Sequence, residues 1–315
     1  MTTELGITTS GLGKRFGDFW ALRDLDLAVP KGSVLGLLGH NGAGKTTAVR
    51  ILTTLSEPTT GTATVAGHDV ATDAAAVRTK IGVTGQGATV DGLLTARANL
   101  VMIGRLSRLS PAQAKVRADE LLERVGLSEF ADRRVDRLSG GMRRRVDLAA
   151  SLVADPPVLM LDEPTTGLDP ASRQDLWNLL REHVARGMTL LLTTQYLEEA
   201  DQLADQIVVL DHGRVIASGT PAELKSRVGG ERLDVTLADP ADADAARVAL
   251  APHAESDDAR VDGAVLTIAL RPGTRLIELV RELDHAQIEA VDLHRREATL
   301  DDVFLTLTRK EMVPA

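Results

Sequence analysis

A glycine-rich segment that ends in lysine and threonine could bind phosphate groups. This segment, Gly39-His-Asn-Gly-Ala-Gly-Lys-Thr-Thr47, follows the apolar run Val34–Leu38 and precedes a helical pattern over 46–55. Its glycines let successive backbone N–H groups turn toward phosphate oxygens, and the helix start adds its dipole. We expect Lys45 to reach the outer phosphates and the Thr46 hydroxyl to ligate Mg²⁺. A chance glycine-rich turn is the alternative, but the strand before the loop and the helix after it are what a phosphate site requires.

Two carboxylates follow a second apolar run, residues 157–161, which predicts a buried strand. Asp162 and Glu163 come directly after it, and ligands bind at the carboxyl ends of strands in open α/β sheets. Asp162 could hold Mg²⁺, and Glu163 could orient and deprotonate an attacking water. An ordinary acidic strand end is the alternative. Because a phosphate-binding loop precedes the pair, hydrolysis of a nucleoside triphosphate is the better interpretation.

Further apolar runs predict the sheet that positions these groups. Residues 188–193 and 206–210 read as strands, and helical patterns separate the predicted strands. This alternation is typical of an α/β sheet with helices on both faces. The stretch from 95 to 152 differs, since it is helix-rich, has charged faces and lacks a convincing strand. We therefore expect a helical subdomain, over about residues 88–152, inserted between strands of the sheet.

The C-terminal part of the chain differs in charge and in pattern. Residues 231–315 hold 10 Lys and Arg against 18 Asp and Glu, so they carry most of the net charge of −9. Their pattern is strand, helix, hairpin, helix and strand, the β-α-β-β-α-β order of a ferredoxin-like fold. A terminal amphipathic helix over 300–308 follows. We expect two domains, residues 1–228 and 229–315, the second a small α+β domain.

The bulk composition excludes several classes of protein. The chain has 315 residues and no cysteine, so it has neither disulfides nor cysteine-based zinc sites. It lacks the basic footprint of a nucleic-acid-binding protein, and its 7 histidines show no metal-ligand spacing. The N-terminus lacks a signal-peptide pattern, and no apolar run approaches the ~20 residues that span a bilayer. We expect a chain that is soluble by itself, binds no nucleic acid and holds no metal except Mg²⁺.

Four further motifs occur in a fixed order around the phosphate-binding loop. Leu138-Ser-Gly-Gly-Met142 precedes the strand that ends at Asp162, and Asp169 lies in Gly-Leu-Asp-Pro shortly after it. Gln86 ends Ile-Gly-Val-Thr-Gly-Gln, and Phe16 lies in Lys-Arg-Phe-Gly near the N-terminus. Taken with the phosphate-binding loop, these motifs resemble the signature, D-loop, Q-loop and adenine-stacking aromatic of ABC transporter ATP-binding subunits. The resemblance implies a P-loop NTPase sheet with an inserted helical subdomain.

Within that family, several strings are most similar to the daunorubicin-resistance-type drug-efflux subunits, which also carry a C-terminal extension. These strings are Gly82-Val-Thr-Gly-Gln86, Gly141-Met-Arg-Arg-Arg145, Glu163-Pro-Thr-Thr-Gly-Leu-Asp-Pro170, Thr194-Gln-Tyr-Leu-Glu-Glu-Ala200 and Thr299-Leu-Asp-Asp-Val-Phe304. The resemblance implies an ATPase subunit of an exporter that moves a drug-like or lipid-like amphipathic molecule. It also implies a separate integral membrane permease, with this chain bound peripherally at the cytoplasmic face of the cell membrane.

The resemblance also implies roles for individual residues. Glu163 and Gln195 are the expected catalytic residues. The Mg²⁺ ligands are expected to be Thr46, Gln86 and Asp162. The residues expected to contact ATP are Phe16, Gly39, Asn41, Gly42, Ala43, Gly44, Lys45, Thr46, Thr47 and Gln86.

One phosphate-binding loop and one signature in the chain predict a dimer. The signature residues lie at a predicted helix start, where N–H groups and a hydroxyl could bind a γ-phosphate. The resemblance implies that they contact the ATP of a second copy, in a head-to-tail dimer with two shared sites. Asp169 is expected in the D-loop of that dimer. The signature residues are Leu138, Ser139, Gly140, Gly141 and Met142.

Some positions depart from the family pattern. Gln195 stands where most members have histidine, and glutamine keeps an amide donor but carries no proton or charge. A difference of about 1 kcal/mol between charged and neutral hydrogen bonds would slow hydrolysis several-fold without abolishing it. Met142 replaces a common glutamine, and Ala98 replaces a common glutamate. Phe16 lies close to two other aromatic residues, Phe19 and Trp20. Any of the three could pack against the sheet instead of stacking on adenine.

Other classes of function remain as alternatives. A nutrient-importer ATPase shares the same motifs, and so does a non-transport ABC protein of DNA repair or translation. The repair type needs a long coiled-coil insertion and the translation type two cassettes, and the chain has neither. A signalling GTPase would need an Asn-Lys-x-Asp motif, which is missing. The run Arg143–Arg145 could suggest nucleic-acid binding, but Asp147 beside it favours a solvated or sheet-contacting helix face.

Overall fold

The computed structural model describes residues 4–85, 90–228, 230–256 and 259–311, with side chains described through residue 306. The chain divides into two compact units, Met1–Ser218 and Gly219–Ala315. This division comes before a short helix, Pro221–Ser226, whereas the sequence placed the boundary after residue 228. Each unit has its own apolar core.

The strands and helices of the first unit are numbered here in chain order. Its strands are β1 Leu5–Phe16, β2 Phe19–Pro30, β3 Val34–Leu38, β4 Thr60–Val65, β5 His68–Asp69, β6 Ile81–Thr84, β7 Val158–Asp162, β8 Thr189–Thr194, β9 Gln206–Asp211 and β10 Arg214–Gly219. Its helices are α1 Lys45–Leu52, α2 Ala74–Lys80, α3 Ala96–Leu106, α4 Pro111–Arg124, α5 Gly140–Leu152, α6 Pro170–Ala185 and α7 Leu197–Leu203. Short 3-10 helices cover Ser128–Phe130 and Val135–Arg137.

The main sheet has the strand order β10-β9-β3-β8-β7-β6, and the pairs from β9 to β6 are parallel. Every residue of β3, β7 and β8 is buried, as expected for strands covered on both faces. These strands confirm the predicted apolar runs. Because β8 lies between β3 and β7, the loops after the three strands emerge side by side at one edge of the sheet.

A second sheet, of order β2-β1-β4-β5, is antiparallel and packs over the first. In β2 the buried Leu25, Leu27 and Val29 alternate with exposed residues, which is the pattern of a strand with one buried face. The apolar core joins both sheets through α1, since Leu27 of β2, Leu52 of α1 and Met160 of β7 belong to one buried cluster. The core therefore fixes the start of α1 beneath the phosphate-binding loop.

The helical subdomain is confirmed in residues 90–157, all of which the structure describes. They form α3, α4 and α5 with two 3-10 turns, and their only β-pairing is an isolated bridge between Thr95 and Arg134. The helix starts are capped, with Thr95 accepting from the Ala98 N–H and Ser110 forming a capping box with Gln113. These caps define where the helices begin.

The second unit is a smaller α+β unit. It contains α8 Pro221–Ser226, β11 Glu231–Leu237, α9 Ala243–Leu250, β12 Arg260–Asp262, β13 Val265–Leu270, α10 Leu276–His285, β14 Ala290–Glu297 and α11 Leu300–Glu311, with 3-10 turns at Pro240–Asp242 and Ala251–His253. From β11 to β14 the elements follow the β-α-β-β-α-β order expected from the sequence. The sheet order is β12-β13-β11-β14, and its paired strands are antiparallel. Within the described part of both units, no helix has the length and apolar character that crossing a bilayer requires.

Candidate nucleotide-binding site

The phosphate-binding loop connects β3 to α1 at the edge where the strands end. Gly42 and Gly44 have φ angles of 86° and 107°, a region that favours glycine. At Gly44 a Cβ atom would lie 2.6 Å from the Ala21 carbonyl oxygen, so a side chain cannot fit. Two glycines of the motif are therefore required by backbone shape. The sequence-predicted loop is confirmed as a tight turn that leads into a helix N-terminus.

Lys45 is the buried cation of this loop. Its side chain folds over the loop, where Nζ donates to the Gly39 carbonyl at 2.6 Å and to the His40 carbonyl at 3.2 Å. Burial lowers the pKa of Lys45, and the carboxylates of Glu163 and Asp162 oppose that shift. Phosphate oxygens would offer the ammonium a stronger, charge-assisted acceptor than the carbonyls do. The geometry thus suits Lys45 for binding a phosphate within the loop.

Thr46 and Asp162 bring two oxygen atoms together across the sheet edge. The Thr46 hydroxyl donates to Asp162 Oδ2 at 3.2 Å, and the Thr193 hydroxyl donates to the other carboxylate oxygen. Asp162 is only 3% exposed, so its orientation is fixed by these partners. A hydroxyl and a carboxylate are the hard oxygen donors that Mg²⁺ takes, usually with water and substrate phosphates completing the shell. The residues present fit that ion.

Glu163 follows β7 in an uncommon backbone conformation. Its φ is 50°, in the left-handed region, and its N–H donates to the Thr193 carbonyl at 2.9 Å. Non-glycine residues in this region cost about 1–3 kcal/mol and occur preferentially at functional sites. The carboxylate is half-buried and accepts from the Thr166 hydroxyl at 3.4 Å. Glu163 is therefore held at the end of β7 with its side chain half-buried.

Gln195 and Asp169 are exposed at neighbouring chain turns. Gln195 comes directly after β8, next to the buried Thr194. Asp169 caps α6, accepting from the Ser172 N–H at 2.9 Å and from its hydroxyl at 2.6 Å. The Ser172 hydroxyl, with its N–H, lowers the pKa of Asp169. Gln86 lies outside the described residues, so the structure gives no position for it.

The signature segment forms the start of α5. Ser139 is the N-cap of that helix and accepts from the Met142 N–H at 3.2 Å. Leu138 is buried and anchors the segment, whereas Ser139 and Gly140 are exposed. The helix start therefore presents its N-terminal dipole to solvent. Its ordinary capping role and a role in phosphate binding are compatible.

Arg144 connects α5 to the strand ends, a role that the sequence did not specify. Its guanidinium donates to the Asp162 and Glu163 carbonyls at 2.7 Å each. It also donates to the Gly85 carbonyl at 2.9 Å and to the Pro164 carbonyl at 3.0 Å. Burial lowers the pKa of Arg144 against the pull of nearby carboxylates. This contact confirms the sheet-contacting interpretation of the arginine run, although the sequence did not indicate which of the three arginines faces inward.

The aromatic residues near the N-terminus differ in exposure. Phe16 is 56% exposed and Phe19 65%, so neither ring is buried in the sheet. Trp20 is half-buried, and the guanidinium groups of Arg15 and Arg23 lie 5.7 and 5.4 Å from its ring centre. The Lys14 ammonium also lies 5.3 Å from the Phe16 ring centre, so exposure and not the lack of a cation contact distinguishes Phe16 from Trp20. Adenine stacking by Phe16 stays a prediction.

Comparisons with known proteins agree with this geometry. The sequence profile of the ABC transporter family matches residues 22–166. Daunorubicin resistance ATP-binding protein DrrA3 of Streptomyces coeruleorubidus is 52% identical over 308 residues, covering 97% of this chain and 96% of that protein. Nod factor export ATP-binding protein I of Ralstonia nicotianae is 42% identical over 308 residues, covering 97% of this chain and 94% of that protein.

Solved structures show the same fold over about 70% of the chain. An ATP-binding subunit of an ABC transporter superposes with a TM-score of 0.66 at 28% identity, covering 71% of this chain and 93% of the other. A dimeric ATP-binding cassette in a post-hydrolysis state with ADP and Pi gives a TM-score of 0.63 at 26% identity, covering 68% and 98%. Similarity along nearly the whole sequence, together with the shared cassette fold, shows that this chain belongs to the ABC transporter family as an ATP-binding, ATP-hydrolysing subunit.

Proposed function

We propose that this chain hydrolyses ATP with Mg²⁺ to drive export of a drug-like or lipid-like amphipathic molecule through a separate membrane permease. The observation that supports it most directly is that three kinds of group lie at one edge of the sheet. They are an ammonium, a hydroxyl and carboxylate pair of the kind that ligates Mg²⁺, and a second carboxylate. Lys45 lies in the loop, the Thr46 hydroxyl is 3.2 Å from Asp162, and Glu163 follows in the same strand end.

The division of roles follows from the chemistry of these side chains. Loop N–H groups and Lys45 bind the phosphates, and Thr46, Asp162 and Gln86 hold Mg²⁺, which neutralises phosphate charge when bound. Glu163 orients and deprotonates the attacking water, as a carboxylate at the rim can. Gln195 donates its amide N–H toward the reacting phosphate.

The signature residues act on a second copy in this proposal. Ser139 and Gly140 are exposed at a helix N-terminus, which is a surface suited to an anion. In a head-to-tail dimer this end would close over the phosphates bound to the partner copy. A solved cassette with a similar fold is described as a dimer bound to ADP and Pi, which supports the arrangement. ATP binding would then close the dimer, and hydrolysis would open it.

The cargo and location are inferred from the relatives. Several relatives carry daunorubicin or doxorubicin resistance in their names, and others carry Nod factor export. We infer an amphipathic cargo, an integral membrane permease that contacts this chain, and a peripheral position at the cytoplasmic face of the membrane. A nutrient importer is the alternative, and a co-encoded permease without any binding protein would favour export.

The variant Glu163→Gln tests the proposal. The amide keeps the shape of the side chain but cannot accept the proton of water, so turnover should fall at least about 100-fold. Because the phosphate-binding groups are unchanged, ATP should remain bound and hold the chain as a dimer. ATPase assays and size-exclusion chromatography with ATP measure both effects.

Glu129→Gln is the matched control, since Glu129 is an exposed glutamate of the helical subdomain. It should keep wild-type turnover and remain in monomer–dimer exchange. Full turnover by Glu163→Gln would remove Glu163 from the base role. Loss of turnover without an ATP-stabilised dimer would contradict the shared-site arrangement.

A further inference from the structure

Two histidines and an aspartate meet beside the phosphate-binding loop. His40 belongs to the loop, Asp211 ends β9, and His212 begins the turn into β10. One ligand atom from each, two imidazole nitrogens and a carboxylate oxygen, lies within 4.8 Å of the others. The sequence predicted no metal site except Mg²⁺, because these residues lie far apart in the chain. The parallel pairing of β3 with β9 brings them together.

The hydrogen bonds of His40 define which of its nitrogens can bind a metal. Its Nδ1 lies 2.6 Å from the Asn41 carbonyl oxygen, which can only accept, so Nδ1 carries the proton. Its Nε2 lies 2.5 Å from Asp211 Oδ1, and an ionised carboxylate also only accepts. This short contact is a hydrogen bond between Nε2 and the carboxylate, and a metal ion would replace that hydrogen bond once the two atoms move apart. A histidine whose other N–H is held by a backbone carbonyl is the usual form of a metal ligand.

The remaining ligands are oriented to complete a site. The Asp211 side chain is 7% exposed, and its second oxygen lies 3.8 Å from His212 Nε2. His212 has a φ of 44°, so the turn directs its ring back toward the loop, and the two imidazole centres are 5.5 Å apart. A tetrahedral metal holds its ligand atoms about 3.3 Å apart. The 84% exposed side chain of His212 can rotate to meet that distance.

We propose that His40, Asp211 and His212 bind one divalent transition metal of the Zn²⁺ class, with water in the fourth position. Two imidazoles and a carboxylate are a donor set typical of zinc and related ions. The bound metal would fasten the phosphate-binding loop to the turn after β9. That turn already supports the loop, since the Gly213 N–H donates to the Ala43 carbonyl at 3.0 Å.

A Zn²⁺ titration of the untagged, nucleotide-free full chain tests the site. Calorimetry should show about one ion bound per chain, and Zn²⁺ should raise Tm because it binds only the folded state. His212→Ala and His40→Ala should each weaken binding at least about tenfold, since loss even of supporting groups has that effect. His212 is exposed, so its removal leaves folding intact.

His68→Ala is the matched control. His68 also pairs with an aspartate, with Nδ1 2.7 Å from Asp73 Oδ2, but no third histidine or carboxylate joins this pair among the residues that the structure describes. This variant should bind Zn²⁺ like the wild type. Equal Zn²⁺ affinity in the wild type and the His212→Ala variant would overturn the three-ligand site. An equal affinity in all four proteins, or no binding at all, would leave His40 and Asp211 as a hydrogen-bonded pair without a metal.

Discussion

Arg144 holds the backbone of Asp162 and Glu163, the proposed Mg²⁺ ligand and the proposed base, and we infer that it positions them. Its guanidinium holds the carbonyls of Asp162 and Glu163 at 2.7 Å each and also holds the Gly85 carbonyl. The phosphate-binding groups of the loop receive no contact from it in the described hydrogen bonds. We therefore expect Arg144→Ala to lower the kcat of ATP hydrolysis at least about tenfold, while KM and ATP affinity change little.

Two further variants separate positioning from general damage. Arg144→Gln keeps one amide donor and should recover part of the lost kcat. Arg143→Ala removes the exposed neighbouring arginine of the same helix and should keep wild-type turnover. The result that would contradict this role is an equal loss of kcat and ATP affinity in Arg144→Ala, with no kcat recovered in Arg144→Gln. It would mean that the variant disrupts the fold and does not merely displace Glu163.

The thermal stability of the protein should depend on pH through one buried side chain, that of Glu199. It is fully buried in α7, where burial raises its pKa despite the Trp177 N–H that donates to it at 3.4 Å. A raised pKa in the folded state means that this group opposes folding increasingly as pH rises above the unfolded value of about 4.3. Glu199→Gln should therefore raise Tm at pH 8 by about 2–4 °C, as for ~1 kcal/mol, and change it little near pH 4.

The neighbouring Glu198 supplies the control for that pH series. Its side chain is 68% exposed and contacts Arg173 at 3.3 Å, so Glu198→Gln should shift Tm by a similar small amount at both pH values. Thermal melts at pH 8 and pH 4 compare the two variants. A Glu199→Gln effect that is equal at both pH values would mean that ionisation of Glu199 contributes nothing to stability.

At the scale of elements, the sequence predicted four of the five parallel strands, β3, β7, β8 and β9, because each is a short apolar run, but it missed β6. β3 with Lys45 and β7 with Asp162 are examples, since burial on both faces makes the run continuous. The sequence did not predict β1 and β2. Their apolar and polar residues alternate, which is a weaker local signal than a continuous apolar run, and the two strands pair as a hairpin with several register shifts. The contact of His40 with Asp211 and the inward face of Arg144 depend on long-range packing, which no spacing reveals.

The start of α5 is capped by Ser139, and one substitution can separate this cap from the phosphate contact that we propose. Ser139→Asp keeps an N-cap, because aspartate caps helices about as well as serine. The added negative charge would repel a phosphate at the exposed helix end. We expect Tm within about 1 °C of the wild type, since capping is kept, and loss of most ATPase activity together with the ATP-dependent dimer.

Ser110→Asp is the control at an equivalent cap. Ser110 begins α4, where it accepts from the Gln113 N–H at 3.3 Å, and the signature motif does not include it. This variant should keep both Tm and turnover. Wild-type ATPase activity in Ser139→Asp would exclude contact of the signature with phosphate and leave Ser139 as a cap only.

At the scale of the whole molecule, the residues proposed to bind the nucleotide belong to one unit, and the acidic tail, residues 231–315, belongs to the other. Every described site residue lies in Met1–Ser218, while Gly219–Ala315 has its own core of buried residues such as Leu233 and Leu279. A chain that ends at residue 218 should therefore keep ATP affinity within about threefold, a difference under 1 kcal/mol. We expect it to lose self-association or permease binding instead, because the tail supplies surface but no phosphate contact.

A second truncation, after residue 228, keeps α8 and tests where the functional boundary lies. Equilibrium binding of a fluorescent ATP analogue and analytical ultracentrifugation measure the two properties on both truncated chains. Because α8 supplies no site residue, both chains should bind the analogue equally. A collapse of affinity in the shorter chain alone would assign α8 to the ATPase unit. Collapse in both would make the acidic tail part of the nucleotide-binding core, since the phosphate-binding loop would then depend on residues beyond 228 for its shape.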